Sequence, residues 1–332
     1  MMKAALIPII IALGTHSSLP LRAQDSDCAR RWVPVDVIGR DGTILTELQV
    51  SSIQGSLRGV PVKILSASWD EQPRRVLVLL DGSGSMTGAT AVRGLALNVA
   101  DQVAAQMPQT AQVGLAVFSV QIDQTVAFTT DRQAFHLTLV QMAADTKPSP
   151  KGRYFTALRD AMVRSLPLFG RPQEGDVLYV ITDGADNWSD IRWGGLQAAI
   201  LEARVRVFAM LVVDPLNPEG RTGSAELQDL ADSTGGVAVS AYRNRGRSHF
   251  PAADLFSEKS GKPTRLALDL SRQVSQIAGY SRLQVELPEP VYKSAGWELR
   301  LADAKELKGS VLVYPHKLTP CSASGSVVSK PK

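Results

Sequence analysis

The feature that most constrains the fold is a repeated alternation of largely apolar, strand-like runs and helical patterns in the middle of the chain. The run from Val76 to Leu80 contains no polar residue, which predicts a strand covered on both faces. Similar runs recur at 113–118, 177–182 and 205–213. Apolar residues at helical spacing lie between and after them, at 92–107, 134–143, 157–168, 196–203, 227–231 and 264–278. This alternation predicts a doubly wound, mostly parallel α/β sheet with helices on both faces.

The segments on either side of this region have a different pattern. Short apolar bursts at 33–37, 45–50 and 60–64 are separated by glycines, which predicts a few antiparallel strands. Alternation returns at 283–287 and again toward 313. We therefore predict β-rich segments at 24–73 and 280–321 around an α/β domain at 74–279, followed by a flexible tail at 322–332. The two β-rich segments together could form one small β-sandwich.

The first residues have the features of a secretory signal. A short basic start is followed by an apolar run from Ala4 to Leu13, and Ala23 offers a small residue at which cleavage could occur. The run is shorter than the ~20 residues that a membrane-spanning helix needs. We predict a cleaved signal peptide at 1–23 and a secreted or periplasmic protein without stable membrane insertion. A retained membrane anchor is the alternative.

The charge of the mature chain gives little guidance about partners. Removal of the signal takes away Lys3 and Arg22 and no acid, so the formal net charge falls from +4 to +2. Charged residues make up 20% of the chain and hydrophobic residues 44%, as in ordinary globular proteins. Because the charge is near zero, we expect no binding to nucleic acid.

Acidic and hydroxyl residues follow two of the predicted strands. Asp81, Ser83 and Ser85 come directly after the run that ends at Leu80, and Asp183 follows the run that ends at Thr182. Ligands of open α/β sheets bind beyond the carboxyl ends of the strands, where these side chains are expected to meet. Two nearby carboxylates repel each other unless a positive charge lies between them.

Three chemistries are compatible with such a loop, and two of them fit poorly. The glycines at 82, 84 and 88 match neither a dinucleotide loop nor a P-loop, and the acids would repel a phosphate. Neither serine lies in the G-x-S-x-G pattern of a nucleophile, and no histidine lies beside an acid in a motif. A divalent cation fits best, because carboxylates and hydroxyls are hard oxygen donors suited to Mg²⁺. Alternate residues of an extended loop would present Asp81, Ser83 and Ser85 to one side.

Three motifs together resemble the von Willebrand factor type A domain and its metal-ion-dependent adhesion site. They are D-G-S-G-S at 81–85, the F-T-A-L-R-D-A helix start at 155–161, and T-D-G at 182–184. The resemblance covers roughly residues 74 to 279. The β-rich flanks are similar in layout to those of secreted bacterial proteins built around such a domain.

The resemblance implies a ligand set and a function. Ser83, Ser85 and Thr156 would supply hydroxyl ligands, and Asp81 and Asp183 would bind the cation directly or through water. The cation would be Mg²⁺, with Mn²⁺ or Ca²⁺ as alternatives, and an exposed acidic residue of a protein ligand would fill the open position. The expected function is protein binding or adhesion without enzymatic activity. A cation-dependent hydrolase and a structural or assembly component remain the alternatives.

Several other residues have two interpretations each. The basic stretch Arg243–Arg247 is a solvated loop or a grip for an acidic partner. Trp188 and Trp193 are partner anchors or packing residues. Asp160 and Asp186 accept hydrogen bonds that orient the metal ligands, or they have ordinary roles on a helix face and in a turn.

The chain contains two cysteines, Cys28 and Cys321, one in each β-rich flank. A secreted chain meets an oxidising compartment, and each flank is too short to bury much surface alone. We predict a disulfide that joins the flanks into one module. Two free thiols or a link to another chain are the alternatives.

Overall fold

The computed structural model of the protein describes residues 28–87, 90–144, 154–213, 218–242, 264–302 and 307–321. The predicted signal peptide, the basic stretch Arg243–Arg247 and the tail at 322–332 lie outside these residues.

The described strands, numbered along the chain, are β1 (Arg30–Ile38), β2 (Ile53–Leu57), β3 (Val60–Asp70), β4 (Arg75–Asp81), β5 (Gln112–Phe118), β6 (Ile122–Thr129), β7 (Val177–Thr182), β8 (Arg206–Val213), β9 (Ala238–Tyr242), β10 (Tyr280–Glu286), β11 (Ala295–Gly296), β12 (Glu298–Leu301), β13 (Val311–Val313) and β14 (Lys317–Leu318). The α-helices are α1 (Gly84–Thr87), α2 (Thr90–Gln106), α3 (Arg132–Ala144), α4 (Leu158–Ser165), α5 (Trp193–Ala203), α6 (Pro218–Thr234) and α7 (Arg265–Ala278). Short 3-10 helices lie at Val50–Ser52 and Leu166–Phe169.

The central sheet has six strands in the order β6-β5-β4-β7-β8-β9. All neighbours pair in parallel except β5 and β6, which form an antiparallel hairpin at one edge. After β4, the chain adds β5 and β6 on one side of this strand and then β7, β8 and β9 on the other side. The crevice between β4 and β7 is therefore the switch point of the sheet, where ligands of such folds bind.

Helices cover both faces of this sheet, as the apolar runs predict. Val76, Val78 and Leu80 of β4 pack with residues of α2, α3 and α7, whereas Leu77 and Leu79 pack with α4, α5 and α6. Each residue of the run is buried because each face carries a helical layer. The predicted mostly parallel α/β fold is confirmed. Among the described helices, none combines the length and the apolar character needed to cross a bilayer.

The two β-rich flanks contribute strands to one antiparallel sheet, in the order β12-β2-β3-β10-β1-β13. Its edge strands β12 and β13 contact each other, so the sheet is nearly closed around its own core. The two flanks thus form one module, as predicted, but this module is a single curved sheet and not a small β-sandwich. Below, this unit is called the flank sheet.

One predicted strand of the flank is absent. Residues 45–49 form no regular structure, and Ile44 makes an isolated bridge with Ile38 before the 3-10 helix at Val50. Beyond that bridge, the pairing positions of β1 are taken by β10 and β13. The strand that pairs with β3 begins later, at Ile53.

A disulfide joins Cys28 and Cys321, whose Cα atoms lie 5.6 Å apart. The predicted bridge is therefore present. It links a residue just before β1 to a residue after β14, so the two ends of the described chain meet at the flank sheet.

The flank sheet contacts the amino ends of the central strands through buried ions. Arg206 at the start of β8 donates to the Asp36 carboxylate of β1 at 3.0 Å, and both side chains are buried. Arg74, just before β4, pairs with Asp70 at 3.1 Å, and the guanidinium groups of Arg74 and Arg206 lie against the ring of Tyr280. The candidate site at the carboxyl ends lies at the opposite end of the central sheet.

Candidate functional site

The loop after β4 begins with a buried acid that turns the chain. Asp81 is 3% exposed, and its Oδ1 accepts a hydrogen bond of 2.8 Å from the backbone N–H of Ser83. The backbone N–H of Gly82 donates to the carbonyl of Phe118 at 2.7 Å, and a Cβ at Gly82 would lie 3.0 Å from Val117. Glycine fits here because the loop runs directly against β5 and a side chain would crowd Val117.

The sequence predicted that Asp81, Ser83 and Ser85 lie on an extended loop, and this prediction is wrong. Helix α1 begins at Gly84, and the Ser83 carbonyl accepts from the backbone N–H groups of Met86 and Thr87. The side chains of the two serines still meet, with their Oγ atoms 3.1 Å apart. A turn fixed by the Asp81 carboxylate thus brings the two hydroxyls together.

The loop after β7 is tied to the first one by a threonine. The Thr182 hydroxyl donates to Asp81 Oδ2 at 2.6 Å and accepts from the backbone N–H of Gly184 at 3.1 Å. Asp183, which is buried, accepts from the N–H of Ala185 at 3.0 Å through Oδ1. Thr182 is a site residue that the sequence analysis left without a role, although it belongs to the T-D-G motif.

Thr156 lies in a third loop, which is held by backbone hydrogen bonds. Its N–H donates to Asn187 Oδ1 at 2.9 Å, and its carbonyl accepts from the N–H groups of Asn187 and Trp188 at 3.0 Å each. The next N–H, of Ala157, donates to the Ser119 carbonyl at the end of β5. Asn187 is the second residue that the sequence analysis missed, and no motif pointed to it.

The helix that follows Thr156 starts later than predicted. Its N-cap is Ala157, without a side-chain capping bond, and α4 begins at Leu158. Thr156 is 4% exposed, and its hydroxyl has no hydrogen-bond partner among the described residues. This hydroxyl is therefore available to a ligand and is not used as a helix cap.

Asp160 and Asp186 fasten the loop after β7 to helix α4. Asp186 Oδ2 accepts from both the backbone N–H and Nε of Arg159 at 2.9 Å. Asp160 Oδ1 accepts from the N–H of Ile191 at 3.0 Å, and its Oδ2 accepts from Arg164. Neither carboxylate is hydrogen-bonded to any of the five predicted metal ligands, so both act by holding the loops together.

The ionisation of Asp81 is affected by its surroundings at this edge. Burial and then the negative charge of Asp183 raise the pKa of Asp81 to about 7, although hydrogen bonds from Thr182 and Ser83 act in the opposite direction. A cation between the two groups would relieve both the desolvation and the repulsion. Within the described residues, no group of three or more His, Cys, Asp or Glu side chains is arranged to hold a metal ion. The donors here are two carboxylates and three hydroxyls, a set that suits a hard cation.

The two tryptophans near this edge have different environments. Trp193, at the start of α5, packs against the core layer formed by α4, α5 and α6. Trp188 is 52% exposed, and its ring lies 4.3 Å from that of Phe155, between centroids. Packing is thus the role of Trp193, whereas Trp188 faces solvent.

The family model of the von Willebrand factor type A domain matches residues 76–247, more than half of the chain. This chain belongs to the von Willebrand factor type A (VWA) domain family. The match spans the strands from β4 to β9, and so includes all three loops of the candidate site. Helix α7, which lies beyond the matched residues, adds a further helix to the layer that contains α2 and α3.

The chain is similar to several solved structures. The conserved hypothetical protein BatB from Bacteroides thetaiotaomicron is 19% identical, with 61% of this chain and 98% of that chain covered and a TM-score of 0.42. A von Willebrand factor type A protein from Catenulispora acidiphila is 11% identical, with 90% and 74% covered and a TM-score of 0.46. Likenesses this low do not indicate function. No curated protein matches the chain.

Proposed function

We propose that this VWA protein is a protein-binding module that docks an acidic residue of its ligand through a divalent cation. Asp81, Ser83, Ser85, Thr156 and Asp183 would hold the cation, for which Mg²⁺ is the first choice and Mn²⁺ or Ca²⁺ the alternatives. The observation that carries this proposal is the hydrogen bond between Thr182 and Asp81, because it ties the two acid-bearing strand ends to each other at the switch point.

The donor chemistry supports an acidic ligand. Mg²⁺ binds six oxygens, and a bound cation is the largest local charge in such a site. Five proposed donors leave one of the six positions open, and carboxylates that bind through water would leave part of the cation's charge uncompensated. An outside carboxylate would therefore complete the coordination favourably. The cation supplies this attraction, and the protein supplies the three loops that orient the donors.

We further propose that the protein acts outside the cytoplasm and is not an enzyme. The predicted signal peptide and the Cys28–Cys321 disulfide both favour an oxidising compartment. A hydrolase would need a positioned base. The two described histidines lie elsewhere: His136 pairs with Asp101 on the helical surface, and His316 contacts Tyr314 of the flank sheet.

The metal assignment is tested by calorimetric titration of Mg²⁺ into the wild type and Asp81→Asn. We expect the variant to lose binding, and the wild type to gain about 2.7 kcal/mol of stability at a hundredfold excess of Mg²⁺ over Kd. Asp101→Asn is the matched control, since it removes a carboxylate of α2 that pairs with His136 and is not among the proposed ligands. Unchanged Mg²⁺ affinity in Asp81→Asn would refute the assignment.

A second experiment tests the ligand class. Proteins captured by the wild type in Mg²⁺ should be released by a chelator, and Asp81→Asn should not capture them. If neither the chelator nor the substitution reduces the amount of captured protein, binding uses another surface.

A further inference from the structure

An exposed pair of aromatic rings lies beside the proposed cation site. Phe155 is 37% exposed and Trp188 is 52% exposed, and their ring centroids are 4.3 Å apart at an angle of 43°. Tyr154, the residue before Phe155, is 71% exposed. The pair Phe155 and Trp188 is called the aromatic ledge below.

The ledge is held in a fixed position relative to Thr156. Phe155 is the residue directly before Thr156, and the backbone N–H of Trp188 donates to the Thr156 carbonyl at 3.0 Å. Asn187 holds the same junction from both sides, because it accepts from the Thr156 N–H and donates to the Tyr154 carbonyl. Any movement of the ledge would therefore move the Thr156 loop as well.

Exposed aromatic rings in a fixed position are typical of binding surfaces. Tryptophan and tyrosine dominate the residues that contribute most to protein interfaces, and they lose little conformational entropy on binding. Asp160 and Asp186 fasten the rest of the loop through hydrogen bonds that do not involve these rings. The ledge is thus an apolar surface continuous with a site that selects for a carboxylate.

We propose that the ligand segment carries a large apolar or aromatic side chain next to its acidic residue, and that this side chain packs on the aromatic ledge while the acid reaches the cation. This inference rests on the proposed function, because the cation supplies the charge complementarity that fixes where the acid binds. The ledge then selects among acidic segments, which the cation alone would bind with little discrimination.

Two small carboxylates test this selection directly. Acetate and 3-phenylpropionate carry the same charged group, and only the second has a ring that could reach the ledge. Ligand-observed NMR titrations of the whole protein in Mg²⁺ should give an affinity for 3-phenylpropionate about three- to tenfold higher than for acetate, as expected for one aromatic contact. In Phe155→Ala and in Trp188→Ala we expect this ratio to fall to about one.

Three measurements keep the outcomes separate. Calorimetry should show that both ledge variants keep the wild-type affinity for Mg²⁺, and circular dichroism should show that they fold. Trp32→Ala is the matched control, since it removes an exposed indole from β1 of the flank sheet and should leave the ratio unchanged. Sedimentation velocity reports whether a second copy of the chain covers the ledge.

The results distinguish this inference from the proposed function. If neither carboxylate binds in a Mg²⁺-dependent manner, both are overturned. If acetate binds but 3-phenylpropionate binds no more tightly, or if the preference survives both ledge variants, the inference alone is wrong. A dimer that Trp188→Ala dissociates would also overturn it, because the ledge would then bind another copy of this protein.

Discussion

Thr156 is a buried threonine whose hydroxyl makes no hydrogen bond within the described residues. Its backbone N–H and carbonyl are both hydrogen-bonded, whereas its hydroxyl has no partner in the described part of the chain. This hydroxyl can therefore bind a ligand without giving up a hydrogen bond of the fold. Removing this hydroxyl therefore separates a metal-binding role from a structural one.

We expect Thr156→Val to lower the Mg²⁺ affinity at least tenfold and to change the free energy of unfolding in metal-free buffer by no more than about 0.5 kcal/mol, because no described hydrogen bond is lost. Thr156→Ser keeps a hydroxyl and serves as the control, with Mg²⁺ affinity close to the wild type. Calorimetry and urea denaturation give the two quantities. A valine variant that binds Mg²⁺ as tightly as the wild type would remove Thr156 from the ligand set.

The acids of the candidate site could be predicted from the sequence, whereas their supports could not. Asp81 directly follows an apolar run and Asp183 follows another after Thr182, and such runs end at the same edge of a parallel sheet. The bond from Thr182 to Asp81 depends on how β4 and β7 are registered, with Leu80 opposite Ile181. No local pattern encodes that register. Asn187 is still harder to foresee, since its partner lies 31 residues earlier.

At the scale of elements, the loop after β7 and helix α6 approach each other backbone to backbone. Gly184 has a φ of +81°, a conformation that favours glycine, and a Cβ there would lie 2.8 Å from the backbone nitrogen of Ser224. On the helix, a Cβ at Gly223 would lie 1.7 Å from the Gly184 carbonyl oxygen. The position of Asp183 is thus set by a contact that leaves no room for a side chain on either element.

We expect Gly223→Ala to destabilise the protein by about 1–3 kcal/mol, as overpacking does, because the new methyl group must push α6 away from the loop. Gly94→Ala is the matched control on α2, where a Cβ meets nothing within 4 Å. That change should stabilise by roughly 0.5–1 kcal/mol, since alanine favours the helix. Denaturant midpoints of the two variants that shift in the same direction would contradict this contact.

The elements were predictable where their apolar pattern is long. The runs at 76–80, 113–118, 177–182 and 205–213 all form strands, because burial on both faces leaves a continuous signal. Helix α1 was not foreseen, since its four residues are mostly glycine and hydroxyl side chains and it depends on the Asp81 turn. The apolar burst at 45–50 forms no strand, because pairing partners lie far away in sequence and are already engaged.

At the scale of the whole molecule, the disulfide and the flank sheet depend on each other. The sheet places β1 and β10, from opposite ends of the chain, side by side. Cys28 and Cys321 close a loop with a sequence separation of 293 residues. Such a long loop gives the unfolded chain much entropy to lose, so the bridge is expected to stabilise the folded state.

We expect the double variant Cys28→Ser, Cys321→Ser to lose about 2–5 kcal/mol of stability, the usual cost of removing a native disulfide. Thermal unfolding with and without reductant measures the effect. Reductant should lower the Tm of the wild type and leave the Tm of the variant unchanged. The variant thus controls for any effect of the reductant other than breaking this disulfide. Equal Tm values for the oxidised wild type and the variant would show that the bridge does not stabilise the fold.

The position of the bridge also decides how the molecule responds to mechanical force. Tension applied between the residues before Cys28 and those after Cys321 passes through a covalent bond and leaves the fold unstretched. Tension between either end and a protein ligand bound at the carboxyl ends of the central strands follows another route. It must cross from the flank sheet to the central sheet, through the chain connections at 71–74 and 279 and past the buried ion pair of Asp36 and Arg206. For a molecule anchored at its ends and pulled at its binding site, that junction transmits the force.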